Sequence, residues 1–265
     1  MPETLDERNA DFWNELCGTT LARSIGVSAR TPQQVAKFDA AFLRMYPYLD
    51  RYLPRTPLDG VRVLEVGLGY GTLGGLLIGR GAAYTGVDLA IGPVEMMQYR
   101  IGQTKRGDSC GARQASVLDL PFEDASFDRV YSIGCLHHTG DIPRAVGQLR
   151  RVLRPGGEAV VMLYNRWSVR RLLRAPYDAL VRLRSRDNER LRARYDTDSR
   201  GRVAPHTDFV STRQANRIFA AAGFRDVCVD RRNLQVPHFP ALRLTALRLR
   251  LDWLLGLDLY IRAVA

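Results

Sequence analysis

The 265-residue chain has only four cysteines, Cys17, Cys110, Cys135 and Cys228, and no two of them stand in a CxxC spacing. That pattern argues against a zinc site and a disulfide scaffold, and for small buried thiols in a reduced, cytoplasmic setting. Histidine is as scarce, with His137, His138, His206 and His238 making up the whole set. No run approaches the roughly 18 apolar residues that a membrane span needs. The opening MPETLDERNADFWNEL is acidic and polar, without the basic start and apolar stretch of a secretory leader. Internal repeats and low-complexity tracts are also lacking.

What is present suits a globular protein. Hydrophobic residues make up 46% and charged residues 25%, enough for one domain with insertions over residues 1–265. The net charge of +11 is uneven: residues 166–202 hold twelve arginines against five acidic residues. The expected layout is a helical cap over 1–57, an α/β core over 58–165, an Arg-rich helical insertion over 166–210, and a C-terminal part over 211–265 that carries a Leu-rich helical insertion at 239–256.

TPQQVAKFDAAFLRMYPYLDRYL reads as helix, with Thr31 as N-cap, Pro32 at the first helical position, and Val35, Phe38, Phe42, Met45 and Leu49 on one face. Residues 61–66, 82–89, 112–120, 127–134 and 157–165 read as strands, alternating with helices at 70–80, 92–104 and 141–153. RPGG reads as a purely structural stop that turns the chain after the last of these helices. A capped helix at 211–224 and strands at 225–232 and 257–265 complete the pattern. Strands alternating with helices at this spacing imply βαβ units and a mostly parallel sheet covered on both faces.

EVGLGYGTLGG (65–75) follows the first strand, so the chain there closes tightly on something bulky. GYGTLG matches the letters of the dinucleotide fingerprint, and Asp88 stands near the expected distance. The register disagrees. With the strand ending at Val66 the first turn glycine is Gly67, and the sixth position is Thr72. Glu65 also sets a carboxylate beside the glycines, where a pyrophosphate would be repelled. An ammonium-bearing nucleoside such as S-adenosylmethionine fits better, its own carboxylate using the free N–H groups at Tyr70 to Thr72.

VLEVGLGYG, YTGVDLA, SVLDLPFEDASFDRVYSIGCLHHTGD and LRRVLRPGGEAVVMLYN, in that order, resemble the class I S-adenosylmethionine-dependent methyltransferases, closest to the small-molecule group that includes the ubiquinone-biosynthesis type. The resemblance implies a seven-stranded, mostly parallel Rossmann-like sheet with an antiparallel last strand. It also implies roles. Glu65 would hold the methionine amino group. Gly67, Gly69, Tyr70 and Gly71 would line the methionine and ribose parts, and Asp88 with Leu89 would take the ribose hydroxyls. Asp119 would accept from the adenine amino group between Leu118 and Leu120. Gly134 and the residues up to His137 would lie near the sulfonium.

Methyl transfer needs alignment, exclusion of water and, for a protic acceptor, a base. His138, at the carboxyl edge, and His206, beyond the Arg-rich stretch, are the candidates, each with a plain packing role as its rival. No metal set is apparent, Asp141 standing almost alone. FWNELCGT (12–19) either closes over the site or only seats its helix. The expected reaction is methylation of oxygen, nitrogen or carbon on a small, partly apolar acceptor. The Arg-rich stretch reads first as a lid, then as a contact with anionic membrane or a second subunit, as in a homodimer, and last as a nucleic-acid surface. A lipid or quinone methyltransferase at a membrane surface, an RNA-directed one, and a non-catalytic cofactor binder are the alternatives.

Overall fold

The computed structural model describes residues 3–15, 19–172, 196–234, 253 and 256–265. Seven strands form one sheet: β1 (Arg62–Val66), β2 (Ala83–Asp88), β3 (Cys110–Gln114), β4 (Phe127–Ile133), β5 (Leu153–Tyr164), β6 (Arg225–Arg232) and β7 (Asp258–Val264). Their order is β3-β2-β1-β4-β5-β7-β6. β1 to β5 pair in parallel, while β7 runs antiparallel to both β5 and β6. The order reverses between β1 and β4, and the crevice outside the carboxyl ends there is where open α/β sheets bind ligands.

β1, RVLEV, inside the sheet, is short and Val-rich because both its faces are buried from Val63 on. On one face Leu64, Val66, Val130 and Val161 pack with Ala145, Leu149 and Phe219, which come from α6 (Ile142–Val152) and α8 (Thr212–Ala221). On the other, Val63, Tyr84 and Tyr131 pack with Leu77 and Met97, from α4 (Thr72–Gly79) and α5 (Ile91–Gly102). The remaining described helices are α1 (Leu5–Trp13), α2 (Thr19–Ser24), α3 (Pro32–Met45) and the short α7 (Val169–Leu172).

Three sequence expectations need correction. The helix from Thr31 stops at Met45 and resumes only as a 3₁₀ turn over Leu49–Tyr52. Pro47 is the reason: it lacks an N–H, and it drives Tyr46 out of the helical region, to φ −119 and ψ 60. The third strand ends at Gln114, not at residue 120, because Ser116 opens a turn: its carbonyl accepts from Asp119 N–H at 3.2 Å and its hydroxyl from Leu118 N–H at 3.2 Å. RPGG does not form a turn but lies inside β5, whose register against β4 slips between Phe127 and Arg129. Gly156, at φ +78, donates from that irregular stretch to the Ala265 carbonyl at 2.9 Å.

Most of the Arg-rich insertion (173–195), most of the Leu-rich insertion, Cys17 and His238 lie outside the described residues. Among the described residues no helix is long and apolar enough to cross a membrane.

Candidate active site

The chain leaves β1 at Val66 and reverses through Gly67–Gly71 into α4. Gly67 has φ +85 and Gly71, the N-cap of α4, has φ +71, a region that disfavours any residue with a Cβ. Space is a second constraint at Gly67: an added Cβ would stand 2.5 Å from the Cβ of Cys135. The turn therefore sits directly against the segment that follows β4. Gly69 also takes positive φ, at +51.

The turn is latched to the N-terminal helices. Tyr70 stacks on Phe38 of α3 with centroids 3.9 Å apart and planes 14° from parallel. Asp39, one residue on, accepts from Thr72 Oγ1 at 2.7 Å and from two nitrogens of the buried Arg100 at 2.7 and 3.0 Å. Arg100 comes from α5 and packs against Gly71, so three helices meet at the turn.

Two carboxylates flank it. Glu65 is buried behind the glycines and accepts the Tyr84 phenol at 2.5 Å. Desolvation pushes its pKa up to about 8, against the opposing pull of the Tyr84 hydrogen bond and the Arg100 charge. Asp88 closes β2, half-buried; its two oxygens accept from Leu68 N–H at 2.8 Å and Ala90 N–H at 2.9 Å. Desolvation raises it to about 6, and those backbone N–H groups hold it back. Leu89, next in the chain, is half-buried.

Asp119 is exposed on the turn after β3, and Leu118 beside it is half-buried. Leu120 packs into the core on the α6 face, and its N–H donates to Gln148 at 3.1 Å. Its side chain is thereby committed to the interior, and Leu118 is the one left to wall a ring. Gly134, φ +83, follows β4, with the Met162 methyl 3.4 Å from where a Cβ would stand.

Beyond Gly134 a 3₁₀ turn, Leu136–His138, carries both histidines inward. His137 is fully buried, packs on the Tyr164 ring at 4.0 Å, and neither of its nitrogens has a hydrogen-bond partner. Desolvation, then the neighbouring His138 and His206, hold it neutral, well below the usual histidine range. The His138 Nδ1 lies 2.7 Å from the His206 carbonyl, and its Nε2 lies 3.9 Å from Asp196 Oδ2. Burial lowers its pKa too, with Asp196 opposing. His206 directs its own Nε2 at Asp208, 3.0 Å away.

α1 covers this edge. Asp6 accepts from Ser116 at 2.8 Å, Asn9 donates to the His138 carbonyl at 2.9 Å, and Asn14, at the helix C-cap, accepts from Gly92 N–H at 2.9 Å. Trp13 packs on His138 with centroids 4.7 Å apart. Trp13 of FWNELCGT thus packs at this edge, while Phe12 is core. The structure brings Glu65, Gly67–Gly71, Asp88 and Gly134–His138 to one crevice, with His206 one shell outward. It adds Tyr84, Arg100, Tyr164 and Asp196, which sequence reasoning had passed over. Tyr84 shares a sheet face with Glu65 through the register that pairs it with Val63, which the sequence alone does not give. Among the described residues no group of three or more His, Cys, Asp or Glu could hold a metal ion.

Residues 64–161 match the family model described as a methyltransferase domain. The chain is 36% identical over 107 residues to an O-methyltransferase of Penicillium expansum, covering 40% of this chain and 39% of that protein. It is 36% identical over 117 residues to the ubiquinone biosynthesis O-methyltransferase of Methylocella silvestris, covering 44% of each. Both alignments span less than half of those relatives. In fold it is similar to the geranyl diphosphate C-methyltransferase of Streptomyces coelicolor, with a TM-score of 0.58 at 14% identity, covering 100% of this chain and 98% of that one. Residues 64–161 thus match a methyltransferase domain, and the sheet order described above is a fold shared with solved methyltransferases.

Proposed function

We propose that the chain binds S-adenosylmethionine and transfers its methyl group to a small, partly apolar acceptor. The observation that carries this reading is the pair of carboxylates at the glycine turn, Glu65 behind it and Asp88 beside it, with Arg100, the cation packed there, already held by Asp39. A pyrophosphate at the turn would meet Glu65, whereas an α-amino group is attracted by it, and a ribose diol is bound by Asp88.

In this reading Glu65 holds the amino group from below, directly or through water, and Gly67, Gly69, Tyr70 and Gly71 shape the turn around the amino acid part. Asp88 and Leu89 take the ribose. Asp119 and Leu118 receive the adenine, with Leu120 anchoring their turn. The bound cofactor supplies a methyl group on a sulfonium, open to in-line displacement. Gly134 lets the chain pass close to that sulfur, and His137 packs beneath as a neutral, uncharged floor.

His138 acts as the base. A carbonyl 2.7 Å from Nδ1 can only accept, so Nδ1 carries the proton and Nε2 presents its lone pair. His206 contributes its backbone carbonyl, and its ring serves as an outer acceptor contact paired with Asp208. Trp13 and Tyr164 exclude water from the reacting atoms.

A crystal grown with S-adenosylhomocysteine tests the assignment. The expected result sets the ribose hydroxyls on Asp88 and the amino group over Glu65. A ligand bound elsewhere, or none, would overturn it.

A further inference from the structure

The acceptor side of the crevice holds two hydrogen-bond acceptors that face each other. One is Nε2 of His138, fixed as an acceptor because Nδ1 is committed to the His206 carbonyl. The other is Asp196 Oδ2, 3.9 Å away, a buried atom with no hydrogen-bond partner, while Oδ1 accepts the Tyr164 hydroxyl at 3.3 Å. Two acceptors cannot bond to each other, and a buried carboxylate oxygen left unpaired is costly. The rings of Trp13 and Tyr164 pack around His138, with centroids 4.7 and 6.2 Å from its own.

We infer that His138 and Asp196 form a receptor for a protonated amine, and that the methyl acceptor is an amine nitrogen. This rests on the methyltransferase reading above. A hydroxyl has one hydrogen and can satisfy only one of the two acceptors. An ammonium has at least two, and its charge compensates the Asp196 carboxylate.

The chemistry then balances. The ammonium gives a proton to His138 Nε2, and the imidazolium so formed stands beside Asp196 Oδ2. The freed lone pair forms the N–C bond to the methyl carbon as the C–S bond breaks, its electrons passing to sulfur. The product is the N-methylated ammonium, and the imidazolium proton returns to solvent. Among the described residues, the other titratable groups facing His138 are His137 from its own turn, Tyr164 from β5, and His206 and Asp208 from the segment 196–210. α1 contributes Asn9 and Trp13, which do not titrate.

The test uses the full chain loaded with S-adenosylhomocysteine and labelled with ¹⁵N-histidine. Methylamine and phenethylamine are titrated against methanol and 2-phenylethanol. The amines should perturb His138 Nε2 and bind about tenfold or more tighter than their alcohol partners, the scale of a charge-assisted hydrogen bond. Asp196→Asn should abolish that preference and lower the His138 pKa while leaving S-adenosylhomocysteine affinity unchanged, an effect that a merely structural role would not produce. Tyr164→Phe, which removes the hydroxyl bonded to Oδ1 and leaves Oδ2 as it is, should keep the preference. Equal binding of amine and alcohol, as a bridging water would give, overturns the inference, as does a preference that survives Asp196→Asn. If Asp196→Asn does not fold, the wild-type comparison decides alone. Failure of the wild-type protein to load S-adenosylhomocysteine would instead strike the methyltransferase reading.

Discussion

The Tyr84 phenol donates to the Glu65 carboxylate at 2.5 Å, inside the protein and directly behind the glycine turn. The pair joins β1 to β2 beneath α4, and Gly74 of α4 leaves room for it: a Cβ there would stand 2.7 Å from the phenol and 2.8 Å from the carboxylate. Burial holds the Glu65 proton on to about pH 8. An empty site at neutral pH is therefore mostly protonated, and an ammonium ligand favours the ionised form.

S-adenosylmethionine affinity should accordingly rise as pH goes from about 6 toward 8, with proton release visible as a buffer-dependent heat. Tyr84→Phe removes a hydrogen bond that favours the carboxylate, so the rise should move to higher pH. The sign for stability is opposite. The folded pKa of about 8 lies above the ordinary 4.5, so the empty protein should lose stability as pH climbs between the two. A flat affinity profile would remove Glu65 from the ligand site.

Asp88→Ala should weaken S-adenosylhomocysteine binding about 10- to 100-fold, the range for losing charge-assisted hydrogen bonds. His138→Ala should leave that affinity within about twofold, because the ring serves the acceptor side. Calorimetry on both variants checks the split, and equal losses would deny Asp88 the ribose.

Gly67→Ala and Gly60→Ala separate backbone strain from crowding. Both positions have positive φ, +85 and +75, but only Gly67 has a neighbour, Cys135, in the way. Gly60→Ala should cost about 1 kcal/mol. Gly67→Ala should cost about 1–3 kcal/mol more, from overpacking against Cys135, and denaturant unfolding of the two variants measures the difference.

Arg100→Ala leaves Asp39 without its bidentate partner in a largely buried setting, and a loss of about 3 kcal/mol is expected. Asp39→Ala should also free Thr72 and loosen the turn. The double variant should cost clearly less than the sum of the two, since the residues form one network. Additive losses in unfolding experiments would show that the latch is not a unit.

Much of this was legible in the sequence because it is local. Short β-branched runs such as VRVLEV, separated by helices, specify a parallel sheet, and the glycines after Val66 specify the tight turn. Errors arose where one residue overrode a pattern. Pro47 broke an apolar face that runs on past it, and Ser116 turned the chain although Val117, Leu118 and Leu120 continue a strand-like rhythm. The acceptor side was the least legible part. Asp196 lies 58 positions from His138 and meets it only through the fold, so no spacing rule could pair them.

Glu65, buried behind the glycine turn, makes the crevice a site for a cationic, phosphate-free adenosine compound, with Asp88 for its ribose. Isothermal titration of the purified chain with S-adenosylmethionine and, separately, with NADH tests it most directly. Saturable binding of S-adenosylmethionine with no measurable heat from NADH is the predicted result. Firm binding of NADH with S-adenosylmethionine ignored would contradict the account.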